Sequence, residues 1–143
     1  MSDSWVGFRP SPKRDLSRPT ASLQFELSSK MLIPKVLKLL TTKEGIESWL
    51  IEFTKFDARL GAKLKFSFGE ENYGGTFARI DIPKRIILLT ELHGELDFSF
   101  TEKPDGTDLK LTISKTINDS ERSDWEKIAN EAWSSLKEVM LNA

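Results

Sequence analysis

Along the last quarter of the chain the apolar positions fall three and four apart: Trp125, Ile128, Ala129, Ala132, Trp133, Leu136 and Met140. Residues so spaced share one face of a 3.6-residue helix, which predicts an amphipathic helix over about 120–141. Asn118-Asp119-Ser120-Glu121 supplies capping chemistry for its first turn. Upstream the period changes to two. Leu23, Phe25 and Leu27 alternate with Ser22, Gln24 and Glu26, the pattern of a strand with one buried face. Leu64, Phe66 and Phe68 alternate with Lys63, Lys65 and Ser67 in the same way. After Asn72-Tyr73-Gly74-Gly75 comes a strand over 76–82, whose alternation slips between Phe77 and Ile80 and so predicts a bulge.

Turn chemistry divides the remaining strands. Pro83-Lys84 leads into 85–92, His93-Gly94 into Leu96, Phe98 and Phe100, and Pro104-Asp105-Gly106 into Leu109, Leu111 and Ile113. Between the first strand and these lie two short helices. Pro34 suits the first turn of one, with Val36, Leu37 and Leu40 as its stripe. Thr41 and Glu44 read as a capping box for the other, which holds Ile46, Trp49 and Leu50. Residues 1–19 stand apart as an extension. Pro10, Pro12 and Pro19 break regular structure there, Arg9, Lys13, Arg14 and Arg18 make it basic, and Trp5 and Phe8 suit docking on the domain or on a partner. Residues 20–143 make one domain.

Composition narrows the function. The 143 residues carry 21 basic and 22 acidic side chains, a formal charge of −1, so no overall field calls for nucleic acid or an anionic membrane. Cysteine is absent, which removes disulfides, thiolate nucleophiles and Cys-ligated metal. No signal-peptide core opens the sequence, and its longest apolar run, Ile86-Ile87-Leu88-Leu89, is far too short to cross a bilayer. A cytoplasmic protein without membrane insertion is expected.

The ordered motifs resemble the activator-of-heat-shock-protein-90-ATPase homologue family, a branch of the START/Bet v-like (SRPBCC) helix-grip superfamily. Pro34 to Trp49, with its Leu40-Thr41 step, is similar to the family's helix pair. Gly75 to Ile82 with Pro83-Lys84-Arg85-Ile86 resembles its strand, proline turn and returning strand, and Asp105-Gly106-Thr107 its glycine-threonine hairpin. Trp125 and the Trp133–Leu136 seam match its closing helix. The resemblance covers roughly residues 20–142. It implies an α+β helix-grip fold: a curved antiparallel sheet of about six or seven strands around a long C-terminal helix, with a cavity for an apolar ligand. Where many members place a tryptophan, Thr90 stands here. The eukaryotic co-chaperones also use a separate N-terminal domain, for which this sequence leaves no room, so chaperone activation does not follow from the resemblance. Fold analogy alone leaves the chemistry open.

The residues themselves offer no catalytic set. The one histidine, His93, falls outward if the alternation that puts Leu88 inside continues, and is expected in an exposed turn. Glu91 faces solvent by the same parity. A single histidine cannot make a histidine-based metal site, no acidic spacing suggests an EF-hand, and Gly74-Gly75 lacks the lysine and helix of a phosphate loop. No catalytic residue, metal or cofactor is expected. The expected site is the cavity between sheet and helix, lined by Phe66, Phe68, Phe77, Leu88, Phe98, Phe100, Trp125, Trp133 and Leu136, with Tyr73, Arg79 and Thr90 as its polar groups. Arg79 is left open by the slipped alternation: inward it would clamp a ligand anion, outward it is solvated. Three functions compete. Binding of a small hydrophobic or amphipathic ligand by a monomer or weak dimer leads. A chaperone-associated or stress-response interaction module follows, then a cyclase- or hydrolase-type enzyme.

Overall fold

In the computed structural model the described residues are 20–142, preceded only by the paired backbone of β1 (Trp5–Val6) and β2 (Phe8–Arg9). The docking expected of Trp5 and Phe8, and the character of the 1–19 extension, lie outside the described residues. From residue 20 the order is β3 (Thr20–Ser29), α1 (Ile33–Thr41), α2 (Lys43–Glu47), β4 (Phe53–Lys55), β5 (Leu64–Phe68), β6 (Glu71–Asp81), β7 (Arg85–Thr90), β8 (Gly94–Lys103), β9 (Gly106–Thr116) and α3 (Asp119–Leu141). The strands form one curved antiparallel sheet of seven, ordered β3-β9-β8-β7-β6-β5-β4, with α3 laid across its concave side. The architecture is the α+β helix grip that the family resemblance implies.

The two faces of the sheet follow the period-two pattern. Ile86, Leu88 and Thr90 of β7, Leu96, Phe98 and Phe100 of β8, and Leu109, Leu111 and Ile113 of β9 are buried. Their neighbours Arg85 and Asp97 pair instead on the outer face, through Nε and Nη2 to the two carboxylate oxygens at 2.9 and 2.6 Å. The slip in β6 is a bulge: Phe77 pairs with Leu88 and Arg79 with Ile87, leaving Ala78 between them. β6 itself begins at Glu71, so Asn72-Tyr73-Gly74-Gly75 is strand and pairs with 64–67 of β5.

Trp125, Ala129, Ala132, Trp133, Leu136 and Met140 are the buried face of α3, with Ile128 only half-buried. Trp133 stacks on Phe25 of β3 with ring centroids 5.0 Å apart. The helix is held at both ends. Glu121 accepts the Asn118 N–H at 2.8 Å, closing a capping box, while the Ser29 hydroxyl donates to the Met140 carbonyl at 2.9 Å. The capping expected at Thr41 belongs to the next residue: the Thr42 hydroxyl accepts the Gly45 N–H at 3.0 Å, whereas Thr41 bonds back to the Leu37 carbonyl inside α1. Among the described residues no helix is long and apolar enough to cross a membrane.

Candidate functional site

Aromatic rings pack against one another under the sheet. Trp49 meets Phe98 edge-on with centroids 6.0 Å apart, Phe53 meets Phe66 at 5.3 Å, and Phe56 meets Phe77 at 5.9 Å. Phe66, Phe77 and Phe98 are each at most 1% exposed. Such contacts are those of a close-packed core. Phe66, Phe77, Leu88, Phe98, Phe100, Trp125, Trp133 and Leu136, expected to line a cavity, are buried core residues here.

One gap among the described residues lies to one side of α3. It is a cleft of about 90 Å³ lined by Trp49, Leu50, Ile51, Phe68, His93, Ile128, Glu131, Ala132 and Ser135. Of the residues expected in the cavity, Phe68 alone reaches it. The alternation of β5 runs on to Phe68 as predicted, but the strand ends beside the Gly69 turn and the ring stands 45% exposed on the rim. Trp49 is fixed by its indole N–H, which donates to the Leu39 carbonyl of α1 at 2.8 Å. Nearby, the Glu47 carboxylate accepts the Phe53 N–H at 2.8 Å and tethers the end of α2 to the start of β4. That bond, more than the Lys43 ion pair, holds Glu47 below the ordinary carboxylate range.

His93 corrects the sequence expectation. Its side chain is buried, with the residue 4% exposed, because the strand alternation does not continue beyond Thr90. Residues 91–93 make the turn, and Gly94 follows at φ +94° with no room for a Cβ, which would sit 2.3 Å from the Ser114 carbonyl oxygen. The reversal swings His93 inward against Phe66, 6.2 Å between ring centroids. Around it the bonds are dense. Thr90 Oγ1 lies 2.8 Å from Nδ1 and accepts the His93 backbone N–H at 2.8 Å. The indole N–H of Trp125 donates to the His93 carbonyl at 2.8 Å, tying α3 to the turn. Lys115 Nζ donates to the Glu91 carbonyl at 2.9 Å and the Leu92 carbonyl at 3.3 Å. Burial, helped by the Lys115 charge, pushes His93 down to about 4, so the ring is neutral at physiological pH.

The remaining expected polar groups fall elsewhere. Thr90 is buried, and its hydroxyl serves His93. Arg79 points to solvent and pairs with Asp81 at 3.5 Å, the outward alternative of its slipped strand. Tyr73 stacks on Phe66 at 5.5 Å, and the two line a separate hollow with Thr54, Lys65, Asn72 and Glu91. Partial burial and the Glu71 carboxylate raise its phenol above the usual value. Glu91 faces solvent as expected and accepts the Gly74 N–H at 2.5 Å. A larger hollow of about 680 Å³ lies among Glu26, Ser28, Ser99, Thr101, Asp108 and Lys110 on the outer face, where it is open and polar. Six of its eight lining residues are polar or charged, Leu27 and Leu109 being the exceptions.

The family model described as "Activator of Hsp90 ATPase homolog 1-like protein" matches residues 32–140. None of the curated proteins matches the chain significantly. Among solved structures, protein MLL2253 from Mesorhizobium loti is similar at 16% identity and TM-score 0.69, over 82% of this chain and 95% of that one. Protein BH1534 of Bacillus halodurans is similar at 15% identity and TM-score 0.70, over 84% and 96%. The Aha1 dimer from Colwellia psychrerythraea is similar at 18% identity and TM-score 0.63, again over 84% and 96%. At these identities the likeness is one of fold.

Proposed function

Because the chain belongs to the activator of Hsp90 ATPase homolog 1-like family, we propose that it is a non-catalytic binding module that takes a small apolar or amphipathic molecule into the cleft beside α3. The observation that carries this reading is the cleft itself. Six of its nine lining residues are apolar, Trp49, Leu50, Ile51, Phe68, Ile128 and Ala132, and a buried imidazole stands among them. Its volume of about 90 Å³ suits a small ring or the end of a chain. Pockets for drug-sized ligands run to roughly 300–1,000 Å³, well beyond it. Glu131 and Ser135 share the lining but make no hydrogen bond with His93 among the described contacts, so no base–nucleophile relay supports a hydrolase reading. The cysteine-free composition suits work in a reducing compartment.

The test is ligand-observed saturation-transfer NMR with cyclopentanone and methylcyclopentane, on the wild type and on Ala132→Leu, which fills the cleft from α3. Both probes bind the wild type saturably and bind the folded variant at least tenfold more weakly. Equal binding to the two proteins, or none to the wild type, contradicts the reading.

A second reading takes the family's description at its word. Phe68, with half-buried Leu50 and Ile51, forms an apolar rim on which an Hsp90-type chaperone could dock. On this reading the protein raises ATP hydrolysis by the purified chaperone and Phe68→Glu abolishes the effect; no stimulation by the wild type removes it.

A further inference from the structure

The hydrogen bonds around His93 leave one of its polar atoms unused, and that fixes what the cleft can recognise. Thr90 Oγ1 accepts the His93 backbone N–H, and the same oxygen lies 2.8 Å from Nδ1. A hydroxyl carries one proton to donate. Among the described contacts that proton has no acceptor other than Nδ1, so Nδ1 accepts. A neutral imidazole that accepts at Nδ1 carries its proton on Nε2. The backbone carbonyl of His93 is already taken by Trp125. Nε2 therefore remains, a donor without a partner among the described residues, on a side chain more than nine-tenths buried in the cleft lining.

Nε2 is not sealed off: among the described residues the one buried side-chain polar atom without a partner is Thr76 Oγ1, so a ligand acceptor entering the cleft can reach the imidazole donor. We propose that His93 is the specificity-determining donor of the cleft, holding an uncharged small molecule by an Nε2–H···O bond to a carbonyl or ether oxygen while the apolar walls take its body. The inference rests on the cleft being the binding site and adds the class of ligand. Anions fit poorly: the ring is neutral, and Glu131 stands on the same lining. Ammonium groups fit no better, because Nε2–H offers nothing to accept their protons.

His93 is the only histidine in the sequence, so its ring nitrogens can be read without ambiguity in a long-range ¹⁵N–¹H correlation spectrum. The free wild type is expected to show the Nε2–H tautomer. Cyclopentanone should shift the Nε2 resonance saturably, in step with the methyls of Leu50, Ile51 and Ile128. Methylcyclopentane should shift those methyls and leave Nε2 in place, and cyclopentanecarboxylate should bind more weakly than the ketone. His93→Phe, which keeps a buried ring, should cost cyclopentanone about fivefold in affinity and methylcyclopentane little, the worth of one neutral hydrogen bond. An Nδ1–H tautomer in the wild type overturns the proposal. So does an Nε2 resonance unmoved while the methyls report binding, or a carboxylate that binds as well as the ketone; in these cases the cleft still binds. If neither methyls nor ring respond to any probe, the cleft reading fails and the donor fails with it.

Discussion

His93 shows how a single position departs from its sequence pattern. Alternation counted from Leu88 puts it outside, because the count assumes an unbroken strand; β7 stops at Thr90, and the turn before Gly94 resets the parity. The only hint in the sequence was Gly94, read as a turn residue without following where the turn sends its neighbour. Burial has a consequence for stability. The native ring titrates near 4 and an unfolded histidine near 6.5, so between these values the unfolded chain binds more protons than the native one. The stability contribution is constant above about 6.5, falls as pH drops from 6.5 towards 4, and levels off below. The loss is roughly 3 kcal/mol across the window. Other charges near the ring are Lys115 of β9, Glu131 on the shared lining and Glu91 in the same turn. Chemical denaturation at a series of pH values should therefore give a steeper acid-side fall for the wild type than for His93→Gln. Parallel curves would remove His93 as its cause.

At the scale of elements, strand and helix patterns were legible wherever one face is buried. The β9 positions 109, 111 and 113 and the α3 stripe, Ile128 apart, carry the same residues in pattern and in structure. Boundaries were less so. Two threonines in succession make the start of α2 ambiguous by one residue, and the choice falls on Thr42 because Thr41 still belongs to the last turn of α1. Thr42→Ala should cost about 1 kcal/mol through loss of its N-cap bond, and Thr41→Ala less. Glu121→Ala should likewise cost about 1 kcal/mol, by opening the capping box of α3. Thermal unfolding of the three variants checks the ranking; equal losses at 41 and 42 would contradict the cap assignment.

Across the whole molecule, the fold was legible and the cavity was not. The aromatic concave face is present, but its rings meet Trp49, read in the sequence as part of the second short helix, and Phe53 and Phe56, from a stretch the sequence pattern did not assign. Trp49, Phe53 and Phe56 enter under the sheet and pack on Phe98, Phe66 and Phe77. Phe66, Phe77 and Phe98, read in the sequence as cavity lining, are buried against these rings. Phe98→Ala should accordingly lower global stability by about 3–5 kcal/mol, as large-to-small changes in packed cores do. A loss below about 1 kcal/mol in denaturant titration would indicate unfilled space beside it.

On the proposed function small molecules enter beside α3 rather than at the outer-face hollow. Methyl-resolved NMR of the wild-type protein during titration with cyclopentanone tests it most directly. Saturable shifts confined to Leu50, Ile51, Ile128 and Ala132 are the predicted result. Shifts centred instead on Leu27 and Leu109, beside the outer-face hollow, or scattered without saturation, would contradict it.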